Sequence, residues 1–182
     1  LPLIALLLGF DAICGERERG SLELLLAHPL SRVELLLGKY LGLAAALSIS
    51  TCAGFLLVGL LLARQFGAAA TFMHYGGFVL SATLLGLAFL SLALLVSVLA
   101  RERTRASGLA IVLWFFFVLV FDLALLGLLV GSGGQWAGDW FAWLLLLNPA
   151  DVFRIFNVFS LDQVGGLFGL GALVPPAFGN SL

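Results

Sequence analysis

YGGFVLSATLLGLAFLSLALLVSVLA, residues 75–100, runs without a single charged side chain. A membrane-crossing helix needs about 20 predominantly apolar residues. This stretch is longer than that and carries only Ser and Thr as polar groups. Residues 40–63 are likewise free of charge, and residues 106–131 hold one acid, Asp122. Residues 1–14 read as the end of a further span. Almost nothing polar is left over to form an outer face, so these runs are not the strands of a water-soluble core. The fold class is an all-α polytopic membrane protein.

The composition agrees. Of 182 residues, 62% are hydrophobic and 10% charged, against about 25% charged in a soluble domain. Nine Lys/Arg balance ten Asp/Glu, which leaves no basic surface for a nucleic-acid backbone. The chain opens on Leu1 inside an apolar run with no basic segment before it, so that run is no signal peptide. It reads as an internal piece of a longer protein, lacking a span on each side. Cys14 and Cys52 form no C-x-x-C pair and read as small buried residues.

Loop charge orients the spans. Arg17, Arg19, Arg32 and Lys39 fall in residues 15–39, and Arg101, Arg103 and Arg105 in residues 101–105. Both loops are assigned to the cytoplasm. Residues 64–74 and 132–182, with Arg64 and Arg154, are assigned to the outside. Trp136, Trp140 and Trp143 then sit at the outer headgroup level.

The cytoplasmic loop is strongly patterned. In Glu16-Arg17-Glu18-Arg19-Gly20-Ser21-Leu22-Glu23-Leu24-Leu25, Gly20 breaks one helix and Ser21 is the expected N-cap of the next. Pro29 ends that short helix, and His28 reads as a cap-region residue. Ser31-Arg32-Val33-Glu34 is a capping box, with Leu30 and Leu35 as its staple. Lys39 snorkels at the membrane surface. A short helix fixed at both ends can carry a push from a soluble partner into two spans; an ordinary charged loop is the plainer reading.

On the outer side, Asn148-Pro149-Ala150-Asp151 starts a helix: Asn as N-cap, Pro at the first position, an acid in the first turn. Asp151, Arg154 and Asn157, three apart, form a stripe on it. That helix either lies at the interface or dips into the outer leaflet. It is either a docking platform for an extracytoplasmic partner or a lid on the bundle. Residues 165–174 read as a connector.

Two acids lie within apolar runs. Asp122 is a cation ligand, proton relay or gate, or else a structural hydrogen bond to a neighbouring helix. Asp11, near the inner end of the first span, reads as structural, within reach of Arg17 or solvent. Met73 and His74 supply two copper-type ligands, too few for a tight site, so no metal site is expected. No H-E-x-x-H or G-x-S-x-G occurs. Gly38-Lys39 is not a P-loop, because Val33 stands where its first glycine would be. The chain itself holds no cofactor.

Glu16 to Leu25, with Pro29-Leu30-Ser31-Arg32 and Leu37-Gly38-Lys39, resembles the hallmark of type-2 ABC transporter permeases. There an E-x-x-x-G-[ST]-L run precedes a Pro turn and a G-K at the next span. Residues 1–13, residues 108–130 with Trp114 and Asp122, and residues 144–154 further resemble the permeases of nitrous oxide reductase maturation systems. The resemblance implies a six-span permease, about four spans of it in this chain. It implies a homodimer in the bacterial inner membrane, a separate cytoplasmic ATPase that binds ATP and Mg, and a periplasmic copper-binding β-helical partner. By the same resemblance Glu16, Arg17, Glu18, Arg19, Ser21, Leu22 and Glu23 meet the ATPase, and Asn148, Asp151, Arg154 and Asn157 lie near the periplasmic partner. The rivals are a type-2 exporter of a drug, lipid or polysaccharide, and a channel or membrane anchor without an ATPase.

Overall fold

A computed structural model describes the backbone of residues 1–26, 31–66, 68–131 and 139–167. Among these the chain is helical, without strands. The helices are α1 (Pro2–Gly9), α2 (Cys14–Glu18), α3 (Ser21–Leu26), α4 (Arg32–Phe66), α5 (Ala68–Leu99) and α6 (Arg103–Phe115). A π-helical turn (Phe116–Val120) leads into α7 (Phe121–Gly131), followed by α8 (Asp139–Leu146) and α9 (Pro149–Leu167).

Among the described residues, three stretches are long and apolar enough to cross a membrane: Arg32–Arg64, Tyr75–Leu99 and Arg103–Gly131. With 35 residues, α4 is about 52 Å long at 1.5 Å per residue, against an apolar bilayer core of about 30 Å. Helix therefore persists through 64–66 and 68–74, where the sequence suggested an outer loop. Nothing there breaks a helix, since 68–70 are alanines.

α5 is the hub. Of the three spans it is by far the most buried. It packs on α1, α4, α6 and α9, which is why it is apolar on every side. The core is Ala5 and Leu6 of α1, Leu47 of α4, Leu85, Phe89, Leu90 and Ala93 of α5, and Ala110 of α6. Backbones approach closely where residues are small. A Cβ on Gly9 would lie 2.7 Å from that of Ala93, and one on Gly86 would lie 2.9 Å from the Leu47 side chain. At the outer end, Phe55, Tyr75, Phe78 and Phe153 form a chain of ring contacts joining α4, α5 and α9. The Tyr75 hydroxyl donates to the Phe55 carbonyl at 3.0 Å.

α8 and α9 form a re-entrant hairpin. α8 follows the outer end of α7, and Leu146 and Pro149 flank an apolar cleft together with Leu84, Leu85 and Ala88 of α5. Those α5 residues stand near the middle of Tyr75–Leu99, so the tip reaches the centre of the bilayer. α9 then runs outward along α5 and reaches Ser81 at Asn157. The sequence allowed a dip into the outer leaflet; the tip lies level with the middle of the span Tyr75–Leu99. His28, Pro29, Leu30, Trp136 and residues 168–182 lie outside the described residues, as do the side chains of Met73, His74 and Trp140.

Candidate functional site: the clamped cytoplasmic elbow and the re-entrant hairpin

The elbow at residues 11–20 is held by the long helices α4, α5 and α6. Gly20 adopts φ +72°, a left-handed conformation that glycine tolerates, and it turns the chain from α2 into α3. The Ser97 hydroxyl of α5, fully buried, accepts the amides of Ile13 at 2.9 Å and Cys14 at 3.0 Å. These are the donors that the start of α2 leaves unpaired. The Arg17 guanidinium donates to the Ala100 carbonyl at 3.0 Å and to Val98 at 3.4 Å, at the end of α5 where a cation suits the helix dipole. Lys39 of α4 pairs with Glu16 and also donates to the Ala12 carbonyl. Asp11 pairs with Arg103 of α6 at 3.0 Å.

Thus α4, α5 and α6 each grip residues 11–17. Two of the seven residues expected at the ATPase surface, Glu16 and Arg17, make bonds into the bundle. Glu18, Arg19 and Glu23 are exposed, and Ser21 and Leu22 are half-buried. The Ser21 hydroxyl donates back to the Glu16 carbonyl at 3.2 Å, where Gly20 turns the chain. Asp11 takes Arg103 rather than Arg17, whose guanidinium is engaged by α5. The capping box forms as the sequence requires. The Glu34 amide donates to Ser31 Oγ at 3.2 Å, and the Ser31 amide donates to the Glu34 carboxylate at 2.7 Å.

The outer site is built around the hairpin tip. Asn148 is fully buried. Its Oδ1 accepts the Ala150 amide at 3.0 Å, capping α9. Its Nδ2 donates to Asp151 at 3.0 Å and to the Phe117 carbonyl at 2.7 Å. Arg154 reaches Asp122 of α7 at 2.7 Å and Asp151 at 3.5 Å. The Asn157 side-chain amide donates to Ser81 Oγ at 3.1 Å and to the Phe153 carbonyl at 2.7 Å. The stripe expected on α9 is real, and its members bond to α5 and α7. Asp122 is thereby an ion-pair partner across helices.

Sequence reasoning missed Ser97, one of several hydroxyl residues on an apolar helix, and the π turn. It had Lys39 at the membrane surface and Arg103 in the basic loop, without their partners. Among the described residues no group of three or more His, Cys, Asp or Glu could hold a metal ion.

Long apolar helices with an elbow gripped at one end and a hairpin packed at the other make this a polytopic helical bundle of membrane type. The family model for ABC-2 family transporter proteins matches residues 1–160, and the chain belongs to that family. It is 45% identical over 181 residues to a chain named "Probable ABC transporter permease protein NosY" from Stutzerimonas stutzeri. It is 47% identical over 180 residues to the protein of the same name from Pseudomonas aeruginosa. In both cases 96% of this chain is covered, and it spans 66% of the relative's length, just under two thirds.

Proposed function

We propose that this chain is the permease subunit of an ABC transporter in the bacterial inner membrane, and that it serves maturation of the copper–sulfur site of nitrous oxide reductase. In this reading ATP and Mg are held by a separate cytoplasmic ATPase. A second copy of the chain completes the membrane unit, and a periplasmic copper-binding β-helical protein docks outside. What passes is a sulfur species, copper, or a mechanical signal alone. Similarity to two permeases named NosY supports the choice among ABC systems.

The observation that carries the coupling reading is the triple grip on residues 11–17 by Arg103, Ser97 and Lys39. A displacement of the exposed Glu18, Arg19 and Glu23 cannot be absorbed locally; it is passed to α4, α5 and α6 together. An ordinary loop would need no such anchoring, and a membrane anchor without an ATPase would have no use for it. Asn148, Asp151, Arg154 and Asn157 bear on the periplasmic partner by fixing the hairpin that this partner would meet.

The test is affinity purification of the full-length protein from native membranes, with each accompanying subunit identified by mass spectrometry. An ATPase together with a periplasmic copper-binding protein is expected. An ATPase alone would favour the exporter reading. No ATPase, in a detergent shown to keep such complexes intact, would overturn the proposal.

A further inference from the structure

The third span is not α-helical throughout. At Phe116–Val120 it makes a π turn, and the Phe121 amide bonds to the Phe116 carbonyl, five residues back. In an α-helix that amide would serve Phe117. The Phe117 carbonyl therefore loses its helical donor near the centre of the bilayer, where an unpaired carbonyl is costly. The donor that replaces it is the Asn148 side-chain amide, at 2.7 Å, brought there by the hairpin tip. Single π turns are uncommon and cluster at functional positions.

We infer that Asn148 is a register lock: seating of the re-entrant hairpin and the π turn of the third span are two sides of one switch. An α-helix advances about 100° per residue. Closing the π turn to α removes one residue's worth of slack, so the segments on either side must rotate by about 100° relative to each other. The cytoplasmic half is fixed, with Ala106 and Ala110 fully buried and Arg103 paired to Asp11. In α7 the buried residue is Leu125. The outer half is thus the part that turns. In the α register the slot of Asp122 passes to Phe121, and the pair with Arg154 is lost. The Phe117 carbonyl regains its helical donor, and Asn148 no longer has that acceptor. Each register therefore suits one hairpin position: seated with π, withdrawn with α. This gives the outer end of the bundle two discrete states. The inference does not depend on what the transporter moves.

The test uses the full-length protein with Cys14→Ala and Cys52→Ala, in lipid nanodiscs. Single nitroxide labels at positions 123 to 126 are read for oxygen accessibility. The wild-type register places the minimum at 125. Asn148→Ala is expected to move the minimum by one residue, to 124. Deleting Val118 removes the slack within the π turn itself. Phe116 and Phe117 then meet their donors four residues on, and the outer half keeps its facing. That deletion is expected to leave the minimum at 125, with or without Asn148→Ala. A minimum that stays at 125 in Asn148→Ala, or one that moves in the Val118 deletion, would overturn the inference. If Asn148→Ala does not fold, Asn148→Asp, which keeps an oxygen to cap α9 but cannot donate to the Phe117 carbonyl, replaces it: a minimum at 124 supports the inference and one at 125 overturns it.

Discussion

The hydroxyl of Ser97, on α5, accepts the backbone amide of Cys14 at 3.0 Å and the adjacent Ile13 amide at 2.9 Å. One buried oxygen thus caps the helix that leads into the cytoplasmic elbow, across more than 80 residues of sequence. The elbow is in this way continuous with the hub helix rather than hung between two spans, and its stiffness follows from that.

Ser97→Ala should leave two buried amides without an acceptor. An unsatisfied buried donor costs about 1–3 kcal/mol, so the variant should unfold at a lower temperature. Hydrogen exchange should rise most at residues 13–18. Exchange unchanged there would mean that the hydroxyl contributes nothing to holding the elbow.

Gly9→Ala should be destabilising by about 1–3 kcal/mol, the usual cost of overpacking, because the new Cβ would meet the Ala93 Cβ at 2.7 Å. Ala93→Gly in the same molecule should restore most of the loss. A double variant no better than the single one, by thermal unfolding in detergent, would show that α1 and α5 do not cross at these two residues.

Glu23→Arg reverses an exposed charge on α3 without touching the bundle. Stimulation of the partner ATPase should fall severalfold in the reconstituted complex, with the stability of the permease within about 0.5 kcal/mol of wild type. Normal stimulation would remove Glu23 from the coupling surface.

Asp122→Asn should weaken the hold of α7 on the hairpin by about 1.5–3 kcal/mol, the worth of a charged hydrogen bond. The subunits should still assemble, and function should be lost. The swap Asp122→Arg with Arg154→Asp should recover part of it, although Asp151 then stands beside a like charge at 154. Wild-type copper content of the reductase in the single variant would make the pair structural only.

What the sequence determined by itself was local. Uncharged runs of sufficient length dictate spans, because backbone groups in lipid must be satisfied within the helix. The Ser31–Glu34 box and the Asn148-Pro149 start both form as read, since a cap needs only residues two or three apart. Tertiary structure decided the rest, because the rest depends on partners remote in the chain. Arg17 and Glu16 read as surface charges until α5 and α4 present a carbonyl and Lys39 to them. Asp122 found its partner, Arg154, only in the fold. A π turn has no sequence signature of its own: Phe116–Val120 is as apolar as its neighbours. It persists where a donor from another helix meets the carbonyl it leaves open, and that donor, Asn148, is placed by the fold.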